Sequence, residues 1–328
     1  ITFPYMETYR ALVTGGLGLI GSAIVKKLLK YGHDIVIVDD LSAYDSITSK
    51  KLIQEIDKDI IFYSFDVADK KFFDMLNNEK FDVIFNFGSY SSDRYFERNT
   101  IDAINKTING MVNVFNLARK VGAYKIIYPS SGTVYGNSRP PQNESQKLEP
   151  QTIYAITKIY CEMLSSLNKD VESVGMRIFT GYGAREIFKG NIASVVSIFT
   201  ISAMLDKELE VYGDGSQKRD FIEVKDIAEV ALRLTKTNKD VKVVNVGSGE
   251  SYSFMDLINL IKNHTGKDLK IKFVENKTRF VAETRADITL LKDVTGYRPR
   301  GLIEMYPDYY NEIKKYVETN ELFRSYKK

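Results

Sequence analysis

Arg10-Ala11-Leu12-Val13-Thr14-Gly15-Gly16-Leu17-Gly18-Leu19-Ile20-Gly21 decides how this chain folds. Its first five residues form an apolar, β-prone run, and a helical pattern takes over at Leu19 and continues to Tyr31. Between them lie Gly16-x-Gly18-x-x-Gly21 and the overlapping Gly15-x-x-Gly18-x-x-Gly21. A glycine cluster alone is weak evidence, because glycines also serve plain turns. With a strand before and a helix after, the spacing describes a tight turn, a bare backbone open to close approach, and a helix N-terminus aimed at negative charge. Those features together suit the pyrophosphate of a dinucleotide. Gly15, Gly18, Leu19, Ile20 and Gly21 are therefore candidate cofactor contacts.

The next strand, Asp34–Val38, runs into Asp39, eighteen residues beyond Gly21. A carboxylate there can accept hydrogen bonds from the adenosine ribose and would repel a 2′-phosphate. No Arg or Lys occurs from Asp39 to Ser49, so the expected cofactor is NAD rather than NADP. Asp66-Val67 follows the third strand. Asp66 can face the adenine amino group or cap the next helix, and both readings stand.

Outward from this unit, apolar runs alternate with helical patterns. Strands are expected at Ile60–Phe65, Asp82–Phe87, Lys125–Tyr128 and Ser173–Ile178, with helices over Asp102–Val121 and Ile153–Leu167. Continuously apolar strands separated by helices indicate a parallel sheet covered on both faces, hence an α/β, Rossmann-type doubly wound fold. Residues 6–178 are expected to form the cofactor domain and residues 179–328 a smaller α/β lobe for substrate. Segments around 225–250 are expected to return to the large sheet. In that second part helices are expected over Asn191–Leu205, Asp226–Thr235 and Ser253–Lys262, and strands at Glu210–Tyr212 and Val241–Val246.

Composition excludes several classes. The 46 basic and 43 acidic residues are dispersed without a long basic block, which gives nucleic-acid binding no support. No apolar run reaches the length needed to span a bilayer. The stretch from Ile1 to Arg10 lacks the regions of a secretory signal, and Met6 is a plausible native start, so a cytoplasmic location is expected. One cysteine, Cys161, rules out an internal disulfide, and two distant histidines, His33 and His264, offer no metal-ligand spacing. Both histidines follow helix-like runs and are expected at the surface.

Tyr154 and Lys158 fall at i and i+4 at the start of a helix, on one face. A tyrosine with its ordinary pKa near 10 is a poor base at neutral pH, and an ammonium beside it favours the phenolate. The strand Lys125–Tyr128 ends in Pro129-Ser130-Ser131-Gly132-Thr133-Val134-Tyr135-Gly136. Hydroxyls at the C-terminal edge of a parallel strand stand where ligands bind in this architecture, which makes Ser131 a candidate proton relay.

These motifs resemble the extended short-chain dehydrogenase/reductases, the group that contains NAD-dependent nucleotide-sugar epimerases and dehydratases such as UDP-glucose 4-epimerase. The likeness covers nearly the whole chain. It runs from the glycine turn and Asp39-Asp40-Leu41-Ser42 through Ser131–Gly136, Tyr154–Lys158 and Arg177–Gly183. It continues through Val211–Phe221, Val244–Gly249 and Gly296–Pro299. The resemblance implies that Tyr154 is the acid/base, that Lys158 holds the cofactor ribose, and that Ser131 orients the sugar hydroxyl. It implies further cofactor contacts from Asp40, Ser42 and Phe87-Gly88-Ser89, and substrate contacts from Thr133, Thr180 and Asn191. Arg219 resembles the arginine that grips the nucleotide diphosphate, with Arg285 or Arg279 as a second contact. Helices matching Asp102–Val121 and Ile153–Leu167 pair across a two-fold axis in the family, which implies a homodimer. Cys161, on the Tyr154 helix face, is expected as buried packing.

Within that group the first step is oxidation of a sugar carbon, usually C4. Dehydratases carry an acidic pair and decarboxylases a Glu just after the Ser131 position, where this chain has Gly132 and Thr133. Epimerisation is therefore expected. Thr180 and Thr107 stand where relatives usually have Asn, which keeps open a C4 dehydrogenase that releases the keto sugar. A non-catalytic NAD-dependent sensor is the reading from a different class, and such proteins commonly lose the Tyr or Lys that is kept here.

Overall fold

The computed structural model describes residues 7–43, 46–54, 60–237, 240–275 and 281–319. Met6 and Arg279 lie outside these. The chain begins with β1 (Arg10–Thr14), α1 (Leu19–Lys30), β2 (Asp34–Val38), α2 (Ser46–Gln54), β3 (Ile61–Tyr63), α3 (Lys70–Leu76) and β4 (Val83–Asn86). It continues with α4 (Asp93–Arg98), α5 (Thr100–Val121), β5 (Lys125–Ser131), α6 (Ile153–Leu167), β6 (Glu172–Ile178) and β7 (Thr180–Tyr182). Next come α7 (Val195–Met204), β8 (Leu209–Tyr212), β9 (Lys218–Arg219), β10 (Phe221–Glu223), α8 (Val224–Leu234) and β11 (Val243–Val246). The last elements are β12 (Tyr252–Ser253), α9 (Phe254–Thr265), β13 (Ile271–Val274), α10 (Thr289–Thr295) and α11 (Leu302–Thr319).

Seven parallel strands form one sheet in the order β11-β6-β5-β4-β1-β2-β3. Side chains alternate across it, so each strand serves two cores. Ala11, Val13, Ile35 and Ile37 pack under α1 and α8, whereas Leu12, Val36, Val38 and Ile84 pack under α3 and α5. That double coverage is why the strands read as unbroken apolar runs. The strand order reverses between β1 and β4, which opens a crevice at their C-terminal ends. Thr14 bridges it, donating to Asn86 Oδ1 (2.8 Å) and accepting from the Gly88 N–H (3.0 Å).

After β6 the chain builds a second core from Tyr182, Phe199, Val211, Phe221, Leu257 and Tyr306. It re-enters the large sheet through α8, whose Glu229 pairs with Lys27 of α1, and through β11, which extends β6.

Three local expectations need correction. His33 is buried: Gly32, at φ +76°, turns the chain back, the imidazole packs on Tyr9 (ring centroids 3.9 Å apart), and Nδ1 accepts the Tyr9 N–H. The helix expected over Asn191–Leu205 begins only at Val195, because Ala193 and Ser194 are extended (ψ 162° and 157°) and Ser194 caps the helix by accepting from the Ser197 N–H. The strand expected to stop at Tyr128 runs on to Ser131, with Pro129 in register with Met176. Cys161 is buried, as expected.

Candidate active site

The glycine turn lines the crevice, and its spacing follows from contact. A Cβ on Gly15, at φ +65°, would stand 2.3 Å from the Phe87 carbonyl oxygen. A Cβ on Gly21 would stand 2.0 Å from that of Gly15. Gly18 precedes α1 with no side-chain cap, so the amides of the first turn face the crevice bare. A pyrophosphate fits this cradle chemically.

Asp39 lies at the end of β2 and is buried. Its two oxygens accept the backbone N–H groups of Leu17 and Leu41 (2.9 Å each), tying the glycine turn to the second strand. Burial raises its pKa even though both bonds oppose the shift. Beside it Lys106, from α5, reaches Asp40 (2.5 Å), Ser42 Oγ (2.7 Å) and Asp66 (3.5 Å). Burial pushes the Asp40 carboxyl up, but the Lys106 ammonium and Ser42 outweigh it and leave the group below its ordinary value. Asp66 accepts from the Ala68 N–H (2.8 Å) and does not cap α3, whose N-cap is Asp69.

Further along the crevice Tyr154 stands in the first turn of α6, whose N-cap Thr152 accepts the Ala155 N–H. Burial raises the Tyr154 pKa, a hydrogen bond with Ser131 opposes that, and the charge of Asp93 adds to it. Lys158 lies one turn on, 5.4 Å from the Tyr154 ring centroid, and donates to Ser89 Oγ (3.3 Å). Burial lowers its pKa. Ser131 accepts from both the Thr133 hydroxyl (2.9 Å) and its N–H (3.2 Å). Behind these groups Glu162 of α6 takes a two-pronged ion pair from Arg177 (2.9 and 2.7 Å) and a bond from Ser130 (2.5 Å). That buried pair anchors the tyrosine helix to β5 and β6.

The glycine turn, Asp39, Lys106, Tyr154, Lys158 and Ser131 border one cavity of about 330 Å³. Every expected cofactor contact lines it, from Gly15, Gly18, Leu19, Ile20 and Gly21 through Asp39, Asp40, Ser42, Asp66 and Val67 to Phe87, Gly88 and Ser89. So do Ser131, Thr133, Tyr154, Lys158 and Thr180. Three expected substrate contacts do not. Arg219 spends Nη1 on the Lys218 and Val281 carbonyls and stacks on Phe254. Arg285 lines a separate, shallower hollow with Glu250 and Arg298. Asn191 is held outside the lining by Arg94, through its carbonyl, and by Arg98, through Oδ1 (3.2 Å). Thr107 is also absent from the lining, its hydroxyl turned back to the Ala103 carbonyl.

The structure adds residues that the motifs did not indicate: Lys106, Asp93, Glu186 and Lys189. Lys106 alone left a trace in the sequence, as a charge on the buried face of α5 that carries Ala103, Thr107 and Gly110.

Residues 11–247 match the family described as NAD dependent epimerase/dehydratase. The chain belongs to that family. Its NAD-dependent chemistry agrees with the cofactor expected from Asp39, and the family is one of enzymes. Among curated relatives, the UDP-glucose 4-epimerase of Mycolicibacterium smegmatis is 29% identical, covering 89% of this chain and 94% of the relative. The UDP-N-acetyl-alpha-D-glucosaminuronate decarboxylase of Bacillus cytotoxicus is also 29% identical, covering 88% of this chain and 92% of the relative. The crystal structure of the Thermotoga maritima UDP-glucose 4-epimerase with UDP-glucose is similar at a TM-score of 0.87 and 25% identity, over 94% of this chain and 99% of that one. The family thus includes more than one reaction on a nucleotide sugar.

Proposed function

We propose that this chain is an NAD-dependent nucleotide-sugar epimerase that works through transient oxidation at sugar C4. The observation that carries the reading is the convergence of Tyr154, Ser131 and Lys158 on the cavity that the glycine turn opens. The glycine turn would hold the pyrophosphate, Asp39 the adenosine ribose, Asp66-Val67 the adenine, and Lys158 the ribose near the reacting end. Residues 6–178 act as the cofactor lobe and 179–328 as the sugar lobe, apart from the 225–250 return.

NAD, when bound, supplies a site that accepts a hydride and gives it back. Tyr154 takes the C4 hydroxyl proton while the C4–H bond is broken, and Ser131 holds that hydroxyl by hydrogen bonding. After the sugar turns over, Tyr154 returns the proton to the alkoxide formed at C4, giving the opposite configuration. Gly132 and Thr133 carry no carboxylate at the positions where relatives place their elimination groups, which supports epimerisation over dehydration or decarboxylation. The diphosphate contacts expected of Arg219 and Arg285 and the sugar contact expected of Asn191 stay within the proposal, although these three residues stand outside the lining of this cavity.

We also infer a homodimer. Ile153, Ile156, Tyr160, Met163 and Leu167 form an exposed apolar stripe along α6, and Ile101 of α5 is 83% exposed. Steps of three and four residues place the stripe on one helix face, suited to a second copy of the same pair. Among the described residues no single helix is long and apolar enough to cross a membrane.

Mass spectrometry with chromatography of the sugar product, after incubation with NAD and a panel of UDP-, GDP-, dTDP- and CDP-sugars, tests the reaction. An unchanged mass at a new retention time is expected. A loss of two hydrogens with reduced cofactor accumulating would establish the C4 dehydrogenase instead, and loss of water or carbon dioxide would establish an elimination.

A further inference from the structure

The start of α4 lines the cavity beside Tyr154, and it holds two buried polar atoms without a partner. Ser92 Oγ and Asp93 Oδ1 are sealed from solvent and make no hydrogen bond among the described residues, yet both residues line the cavity that contains Tyr154 and Ser131. A buried acceptor without a donor is unfavourable, and a carboxylate oxygen more so, unless a ligand satisfies it.

Asp93 is held firmly in place. Its side chain pairs with Thr152, the N-cap of α6, two residues before Tyr154. Phe96, one turn further along α4, packs edge-on against the Tyr154 ring at 5.4 Å. The other carboxylate at this end is Glu186, and its capacity is already used. Oε1 accepts the Ser194 N–H (3.0 Å), and Oε2 accepts the hydroxyls of Ser194 (2.5 Å) and Ser197 (2.6 Å). Lys189, 3.8 Å from Glu186, balances its charge. Asp93, whose charge acts on Tyr154, is left as the carboxylate at this end with an unused acceptor.

We propose that Asp93, with Ser92 beside it, binds a hydroxyl of the sugar ring and orients the ring against Tyr154. This rests on the nucleotide-sugar reading above and narrows it. A hydroxyl donating to an ionised carboxylate makes a strong, directional bond, whereas a sugar carboxylate would be repelled. The substrate class is a neutral hexose on its nucleotide rather than a uronate.

The test compares wild type, Asp93→Ala, Asp93→Asn and Thr152→Val, each loaded with NAD, for turnover and binding of UDP-glucose and UDP-glucuronate. Wild type is expected to prefer UDP-glucose. Asp93→Ala should raise KM for UDP-glucose at least tenfold, with a smaller change in kcat and NAD affinity held within twofold. Asp93→Asn keeps an acceptor and loses the charge, so it should recover most of that KM and narrow the preference against UDP-glucuronate. The inference is overturned if Asp93→Ala leaves KM unchanged, or if wild type prefers the uronate. It is overturned equally if Thr152→Val reproduces the loss and Asn gives no rescue, because Asp93 would then serve only to brace α6. A wild type inert toward every sugar in the panel would overturn the nucleotide-sugar reading itself. An active wild type with an unaffected Asp93→Ala overturns this inference alone.

Discussion

Replacing Gly21 by Ala tests whether the glycine turn is the cofactor cradle. The new Cβ would stand 2.0 Å from the Gly15 carbonyl oxygen, 2.8 Å from its carbon and 3.0 Å from Gly16 Cα. All three are backbone atoms, so no flexible side chain can yield. Reaching the 3.4 Å of an ordinary contact requires α1 and the turn to part by about 1.4 Å, from 3.4 less 2.0. A displacement of about 1 Å in a positioned site commonly costs on the order of 100-fold, or about 2.7 kcal/mol. NAD affinity, measured by calorimetric titration, should therefore fall at least about 100-fold. Gly32→Ala is the control. Gly32 also has positive φ, +76°, but an added Cβ would meet nothing within 4 Å. That substitution should cost about 1–2 kcal/mol of stability through backbone strain and leave NAD binding alone. A Gly21→Ala protein that binds NAD within threefold of wild type would refute the argument, as would a Gly32→Ala protein that loses as much.

Tyr154→Phe should cut turnover by about 10²–10⁴-fold and leave NAD affinity within a few-fold of wild type; sustained turnover would remove Tyr154 from the chemistry and revive the sensor reading. Ile156→Glu with Met163→Glu should convert a species of twice the 37.4 kDa chain mass into monomer by light scattering, and a wild type that is already monomeric would end the dimer proposal. Asp220 is fully buried and accepts from Ser248 N–H and Oγ–H (2.7 Å each), Gly249 N–H and Ala286 N–H (3.0 Å each), yet burial pushes its pKa up to about 6. A folded value above the unfolded one of about 3.9 favours the folded state while the group is protonated, so on the order of 3 kcal/mol present below about pH 4 is lost as pH rises through 6. Urea unfolding between pH 4 and 7 should show that slope flattened in Asp220→Asn, although Glu223, pushed up to about 7, keeps part of it; an identical slope would show that Asp220 does not titrate there.

Much of the cofactor end was legible in the chain because its signals are local. The Gly15–Gly21 spacing, Asp39 at the end of β2 and the four-residue step from Tyr154 to Lys158 each reflect a turn or helix a few residues long, in which sequence distance and spatial distance nearly coincide. Alternating apolar runs likewise report burial on both faces of the sheet. The late start of α7 at Val195 had a local cause as well, but Ser194 gains its meaning only from the extended backbone it adopts and the donor it meets.

Only the tertiary structure decided which distant charges meet. Lys106 reaches Asp40 across 66 positions of sequence, and Asp93 comes to the tyrosine because α4 packs on α6. Arg219 and Arg285 sit in motifs of the right type, but the packing of the second lobe turns one onto backbone carbonyls and the other into a separate hollow. The sequence by itself determined the parallel sheet, the dinucleotide turn and the Tyr-Lys pair, because backbone geometry and short-range periodicity dictate them. Folding decided which carboxylate near Tyr154 keeps one acceptor unused, since that depends on which partners the packed helices bring within about 3 Å and which they leave out of reach.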